Sequence, residues 1–201
     1  MKRALVAVAA LALPALALAE PTSWNIDPAH STASFAVKHA MISTVRGDFT
    51  KVAGTIVTEG DDFTKAKIDA SIDASSVDTR VAQRDAHLKS PDFFDVAKFP
   101  AITFKSTKIH KKGAHLLVSG DLTMHGVTKP VTLTASVSKP MQDPWGNTRI
   151  GAEATATLNR KDFGLVWNKA LDKGGVMVGD EVQLTIDVEA TKAAAQKTAQ
   201  K

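Results

Sequence analysis

Period-two alternation of apolar and polar side chains dominates the chain between residues 31 and 191, the spacing that gives a β-strand one apolar and one wet face. Across 67–74, Ile68, Ala70, Ile72 and Ala74 share a face, opposed by Lys67, Asp69, Ser71 and Asp73. Across 181–191, Val182, Leu184, Ile186, Val188 and Ala190 oppose Glu181, Gln183, Thr185, Asp187 and Glu189. The same alternation predicts strands near 31–39, 47–59, 101–109, 115–124, 127–138 and 148–158. Eight such half-wet strands predict an all-β, eight-stranded antiparallel barrel.

Turn residues test the pairing. If Lys111-Lys112-Gly113 is a three-residue loop, His110 pairs with Ala114, Phe104 with Gly120 and Ile102 with Leu122. That register sends His110 and His115 to opposite faces. If His125-Gly126 is a two-residue type I′ turn, Met124 pairs with Val127, Val118 with Leu133 and Leu116 with Ala135, apolar against apolar. Pro130 cannot donate a ladder hydrogen bond, so a bulge or weak pairing is expected there. One stretch, 77–95, is not strand-like: Val81, Asp85 and Leu88 form a helical stripe that Ser90-Pro91 ends. A short helix between barrel strands is expected to act as a lid over one end.

An eight-stranded barrel is either filled by side chains or holds one ligand. Inward parity collects Ala33, Ala70, Ala74, Gly120, Ala135, Ala152, Ala154 and Ala156, smaller than a dense core would use, which favours a cavity. Small residues that accommodate large ones across the barrel are the alternative. The expected lining comprises Phe35, Val37, Ile68, Ala70, Ile72, Ile102, Phe104, Leu116, Val118, Leu122, Leu133, Ala154, Leu184 and Ile186. Such a lining prefers hydrocarbon. Some 15 buried carbons at ~0.8 kcal/mol each give on the order of 10 kcal/mol, against an association cost of roughly 4–15 kcal/mol. Only a long chain comes out clearly ahead.

The N-terminus changes where this barrel should reside. Lys2 and Arg3 precede an apolar run from Ala4 to Leu18, and Ala17-Leu18-Ala19 offers a small-x-small cleavage site. Residues 1–19 are therefore expected to be a secretory signal peptide cleaved after Ala19, with the barrel at 20–192 and a flexible tail at 193–201. The apolar run is shorter than the roughly 20 residues that span a bilayer. The absence of cysteine suits an oxidising compartment, and the bacterial periplasm is the expected location. Removing Lys2 and Arg3 from 25 basic residues leaves 23 against 21 acidic, a net charge of +2. That is too weak for a nucleic-acid footprint. An outer-membrane barrel would place its apolar residues outward with aromatic girdles, and 5% aromatics cannot build two belts.

Several local stretches together resemble the YceI-like, polyisoprenoid-binding periplasmic family. They run in order from Trp24-Asn25-Ile26-Asp27-Pro28-Ala29-His30-Ser31 through Phe35-Ala36-Val37-Lys38-His39, Val45-Arg46-Gly47-Asp48-Phe49 and Arg84-Asp85-Ala86-His87-Leu88-Lys89-Ser90. Phe93-Phe94-Asp95, Phe99-Pro100-Ala101-Ile102-Thr103-Phe104, the run from Gly120 to Pro130 and Arg160-Lys161-Asp162-Phe163-Gly164 complete the match. The resemblance implies an extended lipocalin-like barrel whose interior binds a polyisoprenoid or related lipid, without catalysis or cofactor. It leaves the individual lipid and the oligomeric state open, a homodimer included. A lipid-modifying enzyme and a ligand-free structural barrel are the alternatives.

Candidate chemistry is sparse. The six histidines, at 30, 39, 87, 110, 115 and 125, form no i,i+2 or i,i+4 pair, and no metal site is expected. Arg84 and His87, beside Asp85, either cap and pair locally or form a rim that receives a lipid head group. Arg46, in a loop-like Arg-Gly-Asp stretch, and His39, which ends a strand with inward parity, are further head-group candidates for a phosphate at the mouth, or else solvated surface residues. Trp24, Trp145 and Trp167 read as structural anchors, with a lining role open for Trp167.

Overall fold

The computed structural model describes residues 20–60, 62–172 and 174–194; the expected signal peptide and most of the expected tail lie outside them. Among these residues twelve strands run β1 Pro21–Ile26, β2 Thr32–His39, β3 Ser43–Phe49, β4 Val52–Glu59, β5 Asp62–Asp73, β6 Val77–Asp78, β7 Ala101–Lys112, β8 His115–Met124, β9 Val127–Val137, β10 Met141–Gln142, β11 Thr148–Asn159 and β12 Val178–Lys192. Among the described residues one α-helix, α1, spans Ala82–Lys89. Eight of the strands close a ring in the order β1-β4-β5-β7-β8-β9-β11-β12, every neighbour antiparallel.

The ring has eight strands, as the alternation predicts, but not the same eight. Pro21–Ile26 carries only Trp24 and Ile26 as large apolar residues, too few to register as alternation. It nonetheless closes the barrel, with Trp24 opposite both Ile56 and Lys192. The strand at 31–39 lies outside the ring. The long β12 takes β11 along one edge and, on the other, β2 up to Asp187 and then β1 from Ala190. The wall therefore forks at β12, and β2–β3 form a branch. The predicted strand 47–59 is broken at Thr50-Lys51: β3 belongs to the branch and β4 to the ring. The break carries a sequence signal, because inward Phe49 and Val52 are three residues apart and no flat strand can bury both.

Hairpin β8–β9 turns at His125-Gly126 with both residues left-handed (φ 52° and 74°) and has the predicted register. Hairpin β7–β8 does not. Its loop is Gly113-Ala114, Lys112 pairs with His115, and a bulge at Thr107 shifts the ladder so that Phe104 opposes Leu122. Ile102 and Phe104 are inward on even numbers and Ile109 on an odd one, and only an extra residue between them lets all three face in. His110 and His115 consequently share the outer face, both exposed. Pro130 sits opposite Asp121 in unbroken register. β11 pairs with β9 only over Thr134–Val137, so the edge beside Pro130 is free and no ladder bond is forfeited.

Between β5 and β7 the chain leaves the wall. β6 pairs briefly with β3, and α1 follows and ends at Ser90. Leu88 packs against the barrel as the stripe predicts, whereas Val81 precedes the helix and is 46% exposed. Two apolar clusters close the interior. One gathers Trp24, Ile56, Ala66, Ile109 and Ile150 at the β1 end. The other gathers Ile26, Phe49, Val52, Val77 and Phe163, with Leu88, Phe94 and Val96 packed on it, at the α1 end.

Candidate functional site

Inward residues of the ring and of the β2–β3 branch surround a cavity of about 260 Å³, against roughly 10–15 Å³ for a void that holds one water. It runs the length of the barrel, from Phe63, Ile109 and Leu116 at one end to Leu88, Phe93, Leu165 and Val178 at the other. Phe35, Val37, Ile68, Ala70, Ile72, Ile102, Phe104, Leu116, Val118, Leu122, Leu133, Ala154, Leu184 and Ile186 all border it. Phe104, Ile68, Leu184 and Ile186 point inward yet are only half-buried, because they face space and not packed atoms.

The small residues divide into three kinds. Ala74 and Ala156 pack with the apolar clusters and do not border the cavity. Ala33, Ala70, Ala135, Ala152 and Ala154 border the cavity and create its width. Gly120 does not: a Cβ there would lie 2.4 Å from Cζ of Phe104, so that ring fills the space. Gly47 is covered in the same way by Phe35, at 2.5 Å. The glycines seat aromatic rings and the lining alanines leave the volume.

Polar groups on the lining are few: Ser34, Thr103 and one charged residue, Arg160. Arg160 follows β11 and its side chain is 5% exposed. Its guanidinium donates to the carbonyls of Trp167 (2.9 Å), Gly179 (2.9 Å), Leu165 and Val178, and reaches Asp180 at 3.4 Å. Burial pushes Arg160 below its ordinary range, and the Asp180 carboxylate opposes that shift. Its donors tie the connection from β11 to β12 across the barrel end. Sequence reasoning places Arg160 only in a motif and misses this role; an Arg directly after an inward-facing strand was the available signal.

The four head-group candidates are not brought together. Arg84 Nε donates to the Thr79 hydroxyl at 2.7 Å and Nη2 to the Thr79 carbonyl at 2.8 Å, while Asp85 accepts from Thr79 N and Oγ1. The pair thus orders the turn before α1. His87 Nε2 lies 2.8 Å from Asp92 Oδ2, and its ring meets Phe93 and Trp167 edge-on. Phe93 lines the cavity, so His87 stands one residue behind the lining. His39 ends β2 opposite Val178, a lining residue, and is exposed. Arg46 belongs to strand β3, not a loop. Its neighbours Val45 and Gly47 pair with inward Val37 and Phe35, which turns Arg46 to the outer face, in a groove with Asp48, Arg80 and Gln183.

Of the tryptophans, Trp24 is buried and its Nε1 donates to Thr58, whereas Trp145 is 81% exposed and anchors nothing. Trp167 meets His87 edge-on and Phe93 at a tilt, behind the cavity wall. The remaining motif residues meet in space at barrel corners. His125 packs its ring on Phe99 and places Nδ1 3.2 Å from the Phe163 carbonyl. Ser31 exchanges hydrogen bonds with the Glu189 backbone across the fork. Arg149 joins Asp27 (2.8 Å), Asp143 (2.8 Å) and Glu189. Asp27, His30 and Glu189 cluster closely enough to suggest a cation site, but Arg149 already supplies the positive charge there.

Fold and site define a closed antiparallel barrel with a branched wall and an elongated apolar interior. The YceI-like domain family model matches residues 24–190, and the chain belongs to that family. Protein YceI of Salmonella newport is 41% identical over 160 residues, which is 80% of this chain and 81% of that protein. Among solved structures, the Campylobacter jejuni YCEI protein is 30% identical at a TM-score of 0.64, covering 78% of this chain and 90% of its own. BcnA of Burkholderia cenocepacia has the same fold at 24% identity, with a TM-score of 0.72 over 83% of this chain and 99% of that one. A polyisoprenoid binding domain from Saccharophagus degradans shares the fold at 18% identity and a TM-score of 0.64, covering 88% and 99%.

Proposed function

We propose that this protein is a non-catalytic carrier that holds the chain of a long isoprenoid, or a related amphiphilic lipid, along the barrel axis. The observation that carries the reading is the lining itself: one elongated cavity where, among the described residues, Arg160 is the only charged one and its donors are taken by backbone carbonyls and Asp180. A hydrocarbon in such a space loses water contact along its length and meets no unpaired polar group. The fold it shares with the polyisoprenoid binding domain from Saccharophagus degradans supports the same class of occupant. A charged head would emerge at the α1 end, where His39 and His87 flank the lining. Arg84 acts there through Thr79, and Arg46 lies on the far side of the wall. The protein works in the periplasm after cleavage following Ala19, and one chain suffices, because a single barrel supplies the whole lining.

The test is mass spectrometry of lipid extracted under denaturing conditions from protein purified from its own periplasm. A stoichiometric polyprenyl or long-chain lipid is expected. Its absence, together with no uptake of an added polyprenyl probe, would overturn the reading.

A further inference from the structure

At the β1 end the barrel wall is continuous, because β1 fills the gap between β4 and β12. The opposite end is different. β3 pairs along its length with β2, but on its other edge only Asp48 and Phe49 have a strand partner, in β6. Among the described residues, the edge from Ser43 to Gly47 has no strand partner on that side. The strand-built wall is therefore open beside the tip of the β2–β3 hairpin. Three strands end there together: Asn159 of β11 opposes Glu181 of β12, and Val178 of β12 opposes His39 of β2. The connection from β11 to β12 crosses the same end, with Ala40 N donating to the Met177 carbonyl at 2.8 Å.

The residues presented at this end are not those a solvated rim would use. Met41 is 63% exposed, Ile42 87% and Val166 64%. Ala40 and Met41 both adopt left-handed backbone (φ 48° and 65°), a conformation that Asn or Gly takes at far lower cost. Met41 is thus held at the tip against its backbone preference, and such an outlier points to use. Val166 stands between Leu165, which lines the cavity, and Trp167, which backs it. A Cβ on Gly175 would lie 3.1 Å from Cγ of Met41 and 3.9 Å from Cδ1 of Leu171, so hairpin tip and loop form one rim.

Given that the cavity carries lipid, we propose that this rim docks the protein on a membrane surface, inserting Met41, Ile42 and Val166 so that a chain passes from bilayer to barrel without crossing water. The occupant is a bilayer and not a protein for a reason of area. A specific protein interface buries roughly 1,200–2,000 Å², which three side chains on two tips cannot supply. Apolar tips inserting among acyl chains need no matching surface. Lys38, His39 and Lys169 are exposed on the same segments, where they would face lipid phosphates.

The test measures transfer of a fluorescent polyprenyl probe from phosphatidylethanolamine–phosphatidylglycerol vesicles to the protein. Alongside it run equilibrium uptake of the probe dispersed without vesicles, and co-sedimentation with probe-free vesicles. The variants are Met41→Asp with Ile42→Asp, the conservative Ile42→Leu, and Trp145→Asp as a control for an exposed apolar residue at the other end. The double variant should transfer at least tenfold more slowly and co-sediment less, with uptake within twofold of the parent. Ile42→Leu and Trp145→Asp should match the parent. Unchanged transfer, an equal loss in Trp145→Asp, or uptake falling as far as transfer would overturn the docking proposal. So would a dimer that becomes a monomer on substitution, since the face would then belong to a second copy. If the parent takes up no probe, the carrier reading fails by itself. Co-sedimentation then still decides the rim: loss in the double variant supports it, and equal binding overturns it.

Discussion

Replacing Ala154 by Leu separates a cavity from a filled core. Ala154 faces inward from β11 between Ala135 of β9 and Ile186 of β12, all three bordering the cavity. Leu adds three carbons at that point. In the ligand-free protein they enter open space, and the melting temperature should stay within about 2 °C of the parent. In a filled interior the same change overpacks, at roughly 1–3 kcal/mol, which lowers the midpoint by about 2–12 °C for a domain of this size. With lipid bound, the three carbons displace about three methylenes of the guest. At ~0.8 kcal/mol each, affinity should fall by about 2.4 kcal/mol, or roughly 50-fold. Calorimetry of delipidated protein and titration with a fluorescent polyprenyl probe measure the two effects. A large drop in melting temperature with unchanged uptake would show that the interior is packed and the lipid lies elsewhere.

Further expectations follow from the supports of the cavity. Arg160→Met strands the carbonyls of Leu165, Trp167 and Gly179, and should cost about 3 kcal/mol, or about 6–12 °C in melting temperature; a change under 2 °C in calorimetry would deny that role. Gly120→Ala places a Cβ 2.4 Å from Phe104 Cζ and 2.5 Å from the Lys105 carbonyl, and should destabilise by about 1–3 kcal/mol in urea unfolding. The hydrogen bond from Arg149, aided by His30, lowers Asp27 from 3.8 to about 2. Its stabilisation is therefore complete above about pH 4 and lost as pH falls toward 2. Urea midpoints taken from pH 4 to pH 2 should fall less steeply in Asp27→Asn than in the parent, and identical slopes would show that Asp27 is not the responsible group.

The barrel was legible because each wall strand has one face on an apolar interior, and that asymmetry is written as period two. The β8–β9 hairpin was legible for the same reason, with a turn whose two residues suit left-handed backbone. What escaped were places where the pattern changes parity. The bulge at Thr107 reconciles Phe104 with Ile109, and the break at Thr50-Lys51 reconciles Phe49 with Val52. Both appear in the sequence as a shift between odd and even apolar positions, and a strict alternation reading passes over them. β1 was hidden because six residues with two apolar side chains give no periodic signal, though Trp24 is among the most buried residues of the fold. The head-group candidates failed to converge for a further reason: residue type shows that Arg46 can bind phosphate but not which face of β3 it occupies.

The division of labour among these residues explains why motifs identify the family more readily than its ligand. Asp27, Ser31, Arg84, Asp85, His125 and Arg160 hold corners: each bonds a backbone group or another motif residue where the chain enters, leaves or crosses the wall. Corner chemistry is directional, so few side chains can satisfy it, and the result is a readable signature. The lining has no such requirement. Any alkyl or aromatic side chain repels water from the interior, and only the sum of their sizes sets the volume. Ala70 or Ala154 could become Val or Leu without disturbing one hydrogen bond of the wall, while the space left for a guest would shrink by the two or three carbons added. Ligand length is therefore written in the sizes of inward alanines spread over strands distant in sequence, and becomes readable only once the register aligns them around one axis.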